Sequence, residues 1–506
     1  MAAYTSIPGS CPVDSASLKQ EACIRTTELN EGSSSTSSID EKEDPFTIQS
    51  VLYATGENQG DDDLDADSPQ EVIDHSSLLP IPSPPHKHYY GFVGHLADLD
   101  PTLPVRTYWH LMDTYNPIFQ MDLGMKYPRV FVGSREMVNE MADDSRFIKF
   151  THRLHQEMRA VFGNGLFSAE STSKAWKKAH RLLVPALGDW ETRPIGLSKM
   201  FDDMQDIATQ LVQKWDRYGP DHEIELIGDM SRLTFDTIGL CAYGYRFNQF
   251  YSEQPHHFET ELKEAIIESG RRANRPDVLN RWWYYKDEEH RQENIVKIRG
   301  LCESIIQERI DNPKPDANDL LNVMIHGIDK ETGEKLGFDN VCYQIPTLLG
   351  GGYETTSSTL SFLYYFLCDT PQALHKAQAE VDEVIGDKVL TYDMLPNLKY
   401  LDACIKETLR MQHPVSLLTR FSTKDTVIGG KYFIRKGQMV SGIWRHFHRD
   451  KNAWGEDADV YRPERMLDAE FQKMPPNAWK PYGDGLRACI GRGKLTYNRY
   501  SRYALY

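Results

Sequence analysis

Residues Lys480–Gly491 read Lys-Pro-Tyr-Gly-Asp-Gly-Leu-Arg-Ala-Cys-Ile-Gly, a single cysteine set in a glycine-rich loop. A lone cysteine is ordinarily a small buried hydrophobe. Gly483, Gly485 and Gly491 change that reading, because glycine permits tight, partly left-handed backbone that can aim amide N–H groups at a sulfur. Arg487, two residues before Cys489, supplies a cation able to hold a partner group of the thiolate. No second cysteine or histidine stands at zinc spacing. The sulfur therefore suits a metal held by one protein ligand, and haem fits better than a structural zinc.

Three further constellations could carry chemistry. Glu407 and Arg410 stand three apart in Glu-Thr-Leu-Arg, on one helix face, which alone describes a surface pair of ~0.3–0.5 kcal/mol. Downstream, YRPERM places Arg465 after Pro463-Glu464. The segment GGGYETTSS, Gly350–Ser358, holds two adjacent threonines that would ordinarily bond back to the preceding turn. Each glycine in a helix costs roughly 1 kcal/mol against alanine, so three in succession beside Pro346 need a reason. Gly351 and Gly352 would open a groove for a diatomic ligand, with Glu354 and Thr355 as an acid–alcohol pair beside it. Trp176 and His180, four apart, share a helix face. His446 and His448 in RHFHRD suggest a metal pair, but no carboxylate or third ligand has matching spacing, so no metal is assigned there.

These residues need helices to position them. From about residue 105 the pattern is mostly helical. The run DTPQALHKAQAEVDEVIGD offers Asp369 or Thr370 as cap, Pro371 in the first turn, and Gly386 as a stop. Its apolar face is Leu374, Ala377, Val381, Val384 and Ile385. A second helix is expected over 397–411, ended by His413-Pro414. A third covers about 340–366 and is nearly apolar all round, hence buried. Strands are expected at 128–133, at 425–434 around a Gly429-Gly430 turn, and at 438–444. The fold class is mainly α with a small β portion.

Composition bounds the rest. The 506 residues carry 57 basic and 74 acidic side chains, a net charge of −17. Sixteen of the acids but only three of the bases fall in residues 1–75, whose polar segments read as a disordered acidic tail. The remainder is close to neutral and lacks the basic footprint of a nucleic-acid binder. Residues 76–104 form a proline-rich lead-in, and 105–493 the functional domain. No apolar run approaches the ~18–20 residues of a membrane span, and there is no signal-peptide pattern. Eight cysteines without a CxxC pair favour a reducing, cytoplasmic setting.

The loop resembles the haem-binding signature of the cytochrome P-450 family, Phe-x-x-Gly-x-Arg-x-Cys-x-Gly, present here as Tyr482, Gly485, Arg487, Cys489 and Gly491. Only the Tyr departs. Glu407, Arg410 and Arg465 resemble the family's buried Glu-Arg-Arg triad. Gly351 to Thr356 matches its Ala/Gly-Gly-x-Asp/Glu-Thr-Thr motif, and Trp176 with His180 is similar to Trp-x-x-x-Arg, with histidine for arginine. Longer phrases such as NGLFSAESTSKAWKKAH and LTFDTIGLCAYGYRFNQFY are similar to the soluble fatty-acid hydroxylases that carry a fused flavin reductase.

That resemblance implies a cytochrome P-450 fold and a haem b with Cys489 thiolate as axial ligand. It implies Arg487, Trp176 and His180 at the propionates, Tyr482 and Gly485 around the ligand loop, and Phe167, Gly351 and Val415 lining the substrate pocket. Glu354 and Thr355 would relay protons at the oxygen site. The implied activity is insertion of one oxygen atom of O2 into a C–H bond of a small hydrophobic substrate, a fatty acid oxidised below its end. Electrons would come from NADPH through a flavin reductase, fused or separate; no membrane anchor is implied. Three departures stand out. Lys126, Tyr127 and Arg129 do not match the branch's carboxylate-anchoring Arg and Tyr. MQHPVSLLTR gives a different lining after Arg410. After Gly491 the resemblance ends, and residues 494–506 read as an aberrant tail in place of a C-terminal helix and hairpin. Losing about four large buried side chains at ~1.5–3 kcal/mol each predicts that the chain as written holds haem poorly. Two other readings therefore stay open: a non-catalytic or misfolded truncated haem protein, and a peroxygenase or isomerase on the same fold.

Overall fold

The described residues of this computed structural model are 73–85, 94–100, 103–149, 153–187, 197–219, 221–273, 275, 280 and 282–492. The acidic segment 1–75, its last three residues excepted, and the tail 494–506 lie outside them, as do parts of the lead-in.

Helices carry most of the described chain. They include α1 (Pro104–Tyr115), α2 (Arg153–Phe162), α3 (Lys174–Leu187), α4 (Leu197–Asp216) and α5 (Leu226–Tyr243). Then come α6 (His257–Ala273), α7 (Tyr285–Asp311), α8 (Phe338–Asp369), α9 (Pro371–Val384) and α10 (Lys399–Met411). Helix α8 is slightly longer at both ends than its apolar run suggests. It is buried along Ile345, Leu349, Leu360, Leu363 and Leu367. Two hydroxyls fasten α5 to it: Thr234 donates to the Tyr353 carbonyl at 3.0 Å and Tyr243 to that of Ile345 at 3.2 Å. The order of those pairs makes the two helices antiparallel neighbours.

The capping expected for α9 is only half realised. Thr370 occupies the cap position but its side chain makes no cap bond, while Pro371 opens the helix and Gly386, at φ 54°, follows its end. Helix α10 begins two residues later than expected, because a 3-10 turn at Tyr392–Asn397 holding Pro396 precedes it. Its first amides are satisfied by a neighbour: the Glu380 carboxylate of α9 accepts from Tyr400 N–H at 2.6 Å and Leu401 N–H at 2.9 Å.

The sheet has five strands in the order β1-β2-β7-β4-β3. These are β1 (Ile118–Met121), β2 (Arg129–Val132), β3 (Phe147–Ile148), β4 (Leu417–Ser422) and β7 (Met439–Ile443). Only β2 and β7 pair in parallel, with Phe131 opposite Ser441. A separate hairpin joins β5 (Thr426–Ile428) to β6 (Tyr432–Ile434) through Gly429 and Gly430, at φ 59° and 62°. Two successive positive φ values are what that turn requires, and glycine adopts them without strain. The lead-in prolines lie extended beside this framework, where Leu79 N–H donates to Lys431 O and Gln120 N–H to Pro82 O, both at 2.8 Å. No helix among the described residues is long and apolar enough to cross a membrane.

Candidate active site

The loop bearing Cys489 is built from its glycines outward. Gly483 and Gly485 sit at φ 69° and 67°, and a Cβ on Gly485 would meet the Asp144 carboxylate at 2.9 Å, so no side chain fits. That carboxylate also accepts from Leu486 N–H at 2.9 Å, tying the loop to the sheet end. A 3-10 turn at Gly485–Arg487 follows, and Cys489 N–H closes the loop on Tyr482 O at 2.8 Å. The Cys489 thiol is open to a cavity yet hemmed in by protein. Burial pushes its pKa up, while the amides of Gly491 and Arg492 and the Arg492 charge pull it down.

Beneath the loop, the three triad residues meet. Both Glu407 oxygens accept from Arg410 at 2.8 Å, and Arg465 Nε and Arg462 N–H donate to Glu407 Oε1 at 3.0 and 2.9 Å. Glu407 and Arg410 are fully buried and Arg465 is 4% exposed. The surface-pair reading is therefore excluded. Arg410 Nη1 also donates to His448 O at 2.9 Å, and His448 Nε2 accepts from Lys480 N–H at 3.1 Å. The network so reaches the first residue of the cysteine loop. His446 instead bonds Asp113 at 2.8 Å, so the two histidines form no metal pair. Among the described residues no group of three or more His, Cys, Asp and Glu could hold a metal ion.

One end of the cavity is cationic. Arg487 donates through Nε to Ser171 Oγ at 2.6 Å, through Nη1 to Leu166 O at 2.8 Å and through Nη2 to Ala169 O at 2.5 Å. A guanidinium has five N–H bonds, so two stay available. Its carbon lies 4.3 Å from the centre of the Trp176 ring, which stacks on His180 at 4.4 Å. Burial, then Arg420, lowers the Arg487 pKa to about 10; burial, then Arg487, lowers that of His180. Lys149 joins them. Burial, then Arg487 and Arg420, push its ammonium far below the ordinary lysine value, and it donates to Phe167 O at 3.1 Å. Sequence reasoning missed Lys149, a single lysine in RFIKFTH with no spacing to mark it.

The facing wall is α8. A Cβ on Gly351 would meet nothing within 4 Å, so this position does open a groove. Gly352 also lines the cavity and serves packing as well: a Cβ there would lie 2.7 Å from Ile238 Cδ1 on α5. Thr355 Oγ1 donates to Gly351 O at 2.9 Å, the back-bond to the preceding turn that a helical threonine ordinarily makes. Glu354 is pushed up to about 8 by burial, with Lys263 opposing, so at neutral pH its carboxyl keeps the proton.

The cavity so enclosed is about 290 Å³. Cys489, Arg487, Trp176, His180, Phe167 and Gly351 line it, joined by Lys149 and Thr356. Glu354, Thr355, Tyr482, Gly485 and Val415 are not in its wall. Glu354 and Thr355 stand on the same turn as the lining Gly351 and Thr356, whereas Tyr482 packs on Trp479, with ring centres 6.1 Å apart, and contributes its carbonyl. Val415 N–H donates to His413 Nδ1 at 3.0 Å, while His413 Nε2–H donates to Pro481 O at 2.6 Å. These residues fit a haem. Beyond the effect of burial, Arg487, with Arg420 beside it, depresses the pKa of Lys149 and His180, and such partly buried positive charge calls for an anionic group, which propionates are. Ile238, Leu348, Ala488 and Ile490 give the apolar walls a macrocycle needs, and the sulfur opens toward it.

A cytochrome P-450 family model matches residues 82–493. The chain is 40% identical over 408 residues, 79% of its length, to a bifunctional cytochrome P-450/NADPH–P-450 reductase of Acremonium egyptiacum. It is 40% identical over 415 residues to a self-sufficient cytochrome P-450 monooxygenase of Exserohilum turcicum. A bifunctional P-450/reductase of Bacillus cereus is 39% identical over 408 residues, 80% of this chain. In each case the alignment spans 38% of the relative's own length.

Proposed function

The chain belongs to the cytochrome P-450 family, and from that premise we propose that it is a haem-thiolate monooxygenase hydroxylating fatty acids below the chain end. The observation that carries the reading is one cavity onto which a cysteine sulfur, a cluster of buried cations and a glycine-opened helix all face. Haem bound there supplies the oxygen chemistry, and thiolate ligation favours O–O cleavage. Cys489 provides the sulfur, with the Gly491 and Arg492 amides opposing the upward push of burial on its pKa. Lys149, His180 and the free N–H bonds of Arg487 hold the anionic edge, with Trp176 beneath. Glu354 keeps a proton at neutral pH for delivery to the groove, and Thr355, the next residue on the same turn, is the alcohol that passes it on. Phe167 and the apolar walls exclude water and receive the acyl chain.

Electrons come from NADPH through a flavin reductase, a partner supported by the names of the relatives, which join a P-450 to such a reductase. The test compares product formed from a medium-chain fatty acid with NADPH plus an added flavoprotein reductase against hydrogen peroxide alone. Product in the first arm is expected. Product only with peroxide would favour the peroxygenase reading, and absence of haem the non-catalytic one. Reduced protein with carbon monoxide should show the red-shifted absorption of a thiolate complex, and Cys489→Ser should lose it; retention by the variant would overturn the ligand assignment.

A further inference from the structure

Phe167 is the phenylalanine on the cavity wall, set apart from the Trp176 and His180 rings that also line it. Its backbone is fixed. Leu166 N–H donates to the Gln344 side chain on α8 at 3.1 Å, Arg487 holds the carbonyls on either side at 166 and 169, and Lys149 donates to the carbonyl of Phe167 itself at 3.1 Å. Arg159 Nε donates to Ser168 O at 3.2 Å, and Ser168 Oγ to Gly163 O at 2.7 Å. With the main chain held at so many points, only the side-chain torsions remain to decide where the ring stands, and those have several staggered wells.

Three side chains select among the wells. The Lys149 ammonium lies 4.4 Å from the ring centre. The His155 imidazole stacks on the ring at 5.3 Å with 29° between planes, and Phe162 meets it edge-on at 6.1 Å. His155 and Phe162 lie seven apart on α2, two helical turns, so one face of that helix presents both. His155 is buried, 9% exposed, and does not itself line the cavity. Lys149 and Phe162 have other work, one at the cationic end and one in the core. His155 gives Phe167 its stacked neighbour, the one of the three whose ring plane lies nearly parallel to the Phe167 ring.

We infer that His155 is a positioning residue that fixes the Phe167 ring and through it the carbon of the substrate that is oxidised. This deepens the hydroxylase reading and rests on it. An acyl chain passing a ring held in one rotamer reaches the reacting end in one register. A ring free to occupy a second rotamer admits a second register, and the products spread over neighbouring carbons.

The experiment uses the haem-loaded full chain with NADPH, an added flavoprotein reductase and a medium-chain fatty acid. Wild type, His155→Ala, His155→Phe and Phe167→Ala are compared for the ratio of positional products. The ring state is followed separately by 19F NMR of protein labelled with 3-fluorophenylalanine, the Phe167 resonance being assigned by its loss in Phe167→Ala. His155→Ala is expected to change the ratio of adjacent products by roughly two- to ten-fold, the range set by loss of one aromatic pair. It should also split or broaden the Phe167 resonance and leave the carbon monoxide spectrum intact. His155→Phe, which keeps a stacking ring, should restore both. An unchanged product ratio in His155→Ala, when Phe167→Ala shifts it, would overturn the inference. So would a shift in His155→Phe as large as in His155→Ala. If wild type forms no hydroxylated product, the hydroxylase reading fails instead, and the resonance alone reports whether His155 holds the ring.

Discussion

Glu354 shows how one buried side chain can link stability to pH. Its folded pKa of about 8 lies above the ordinary 4.5, because burial penalises the ionised form more than Lys263 supports it. The folded state therefore binds the proton more tightly than the unfolded one. The stability this confers is fully present below 4.5 and is lost as pH rises through about 8. Glu354→Gln stays neutral at every pH. Denaturant melts of variant and wild type should diverge between pH 6 and pH 9 by on the order of 2–3 kcal/mol, the variant becoming relatively more stable. Parallel curves would mean the carboxylate is solvated. The variant should also couple NADPH consumption to product less well, by ~10²-fold or more if proton delivery is its task. The motif GGGYETTSS made Glu354 visible in the sequence, but its setting comes from α5 packing on α8 and from Lys263 of α6, which no local pattern encodes. Lys149 was invisible for a related reason, since its meaning lies in Arg487 and Phe167, both remote in sequence.

At the scale of elements, the close approach of α5 and α8 forms one wall of the site. Ile238 reaches the space a Cβ on Gly352 would take, at 2.7 Å. Gly352→Val should cost about 1–3 kcal/mol through overpacking, and adding Ile238→Ala should recover part of it. Equal losses with and without Ile238→Ala would show that helix propensity, not contact, is responsible. Gly351→Ala faces open space and should fold normally while narrowing the groove. Gly351 and Gly352, read together from sequence as a groove, both line the cavity, and Gly352 in addition brings two helices together. Longer elements were legible because their periodicity was sustained, as in α8, α9 and α10. Strands β1, β3 and β4 were not. They are two to six residues long, and the buried run Ile118–Met121 shows no alternation that would separate it from a helical turn.

Over the whole molecule, the site is assembled from segments between Lys149 and Gly491, so something must transmit position across the fold. The described bonds trace such a path. Glu407 gathers Arg410, Arg465 and the Arg462 amide; Arg410 holds His448 O; His448 Nε2 holds Lys480 N–H; and the loop beyond closes from Cys489 N–H to Tyr482 O. A second strut runs beside it, His413 Nε2 lying 2.6 Å from Pro481 O, with Trp444 stacked against both His413 and His448. Glu407 is the single described carboxylate that bonds both Arg410 and Arg465, although Asp457 also reaches Arg465 at 3.2 Å. A buried pair adds little when intact, because desolvation offsets attraction, but removing one partner leaves charge stranded. Glu407→Gln keeps the shape and removes the charge from between two buried guanidinium groups. The expected outcome is destabilisation of about 3–5 kcal/mol in denaturant melts of the haem-loaded chain, with haem lost at lower denaturant than the helices unfold. Lys376→Ala, which breaks an exposed pair with Glu464 and a long cation–π contact with Tyr400, is the control and should stay within about 1 kcal/mol of wild type. If Glu407→Gln unfolded at the same denaturant as that control, the path from triad to sulfur would be contact without mechanical consequence. If it unfolded early but retained haem until the helices melted, the triad would stabilise the core without steadying the cysteine loop.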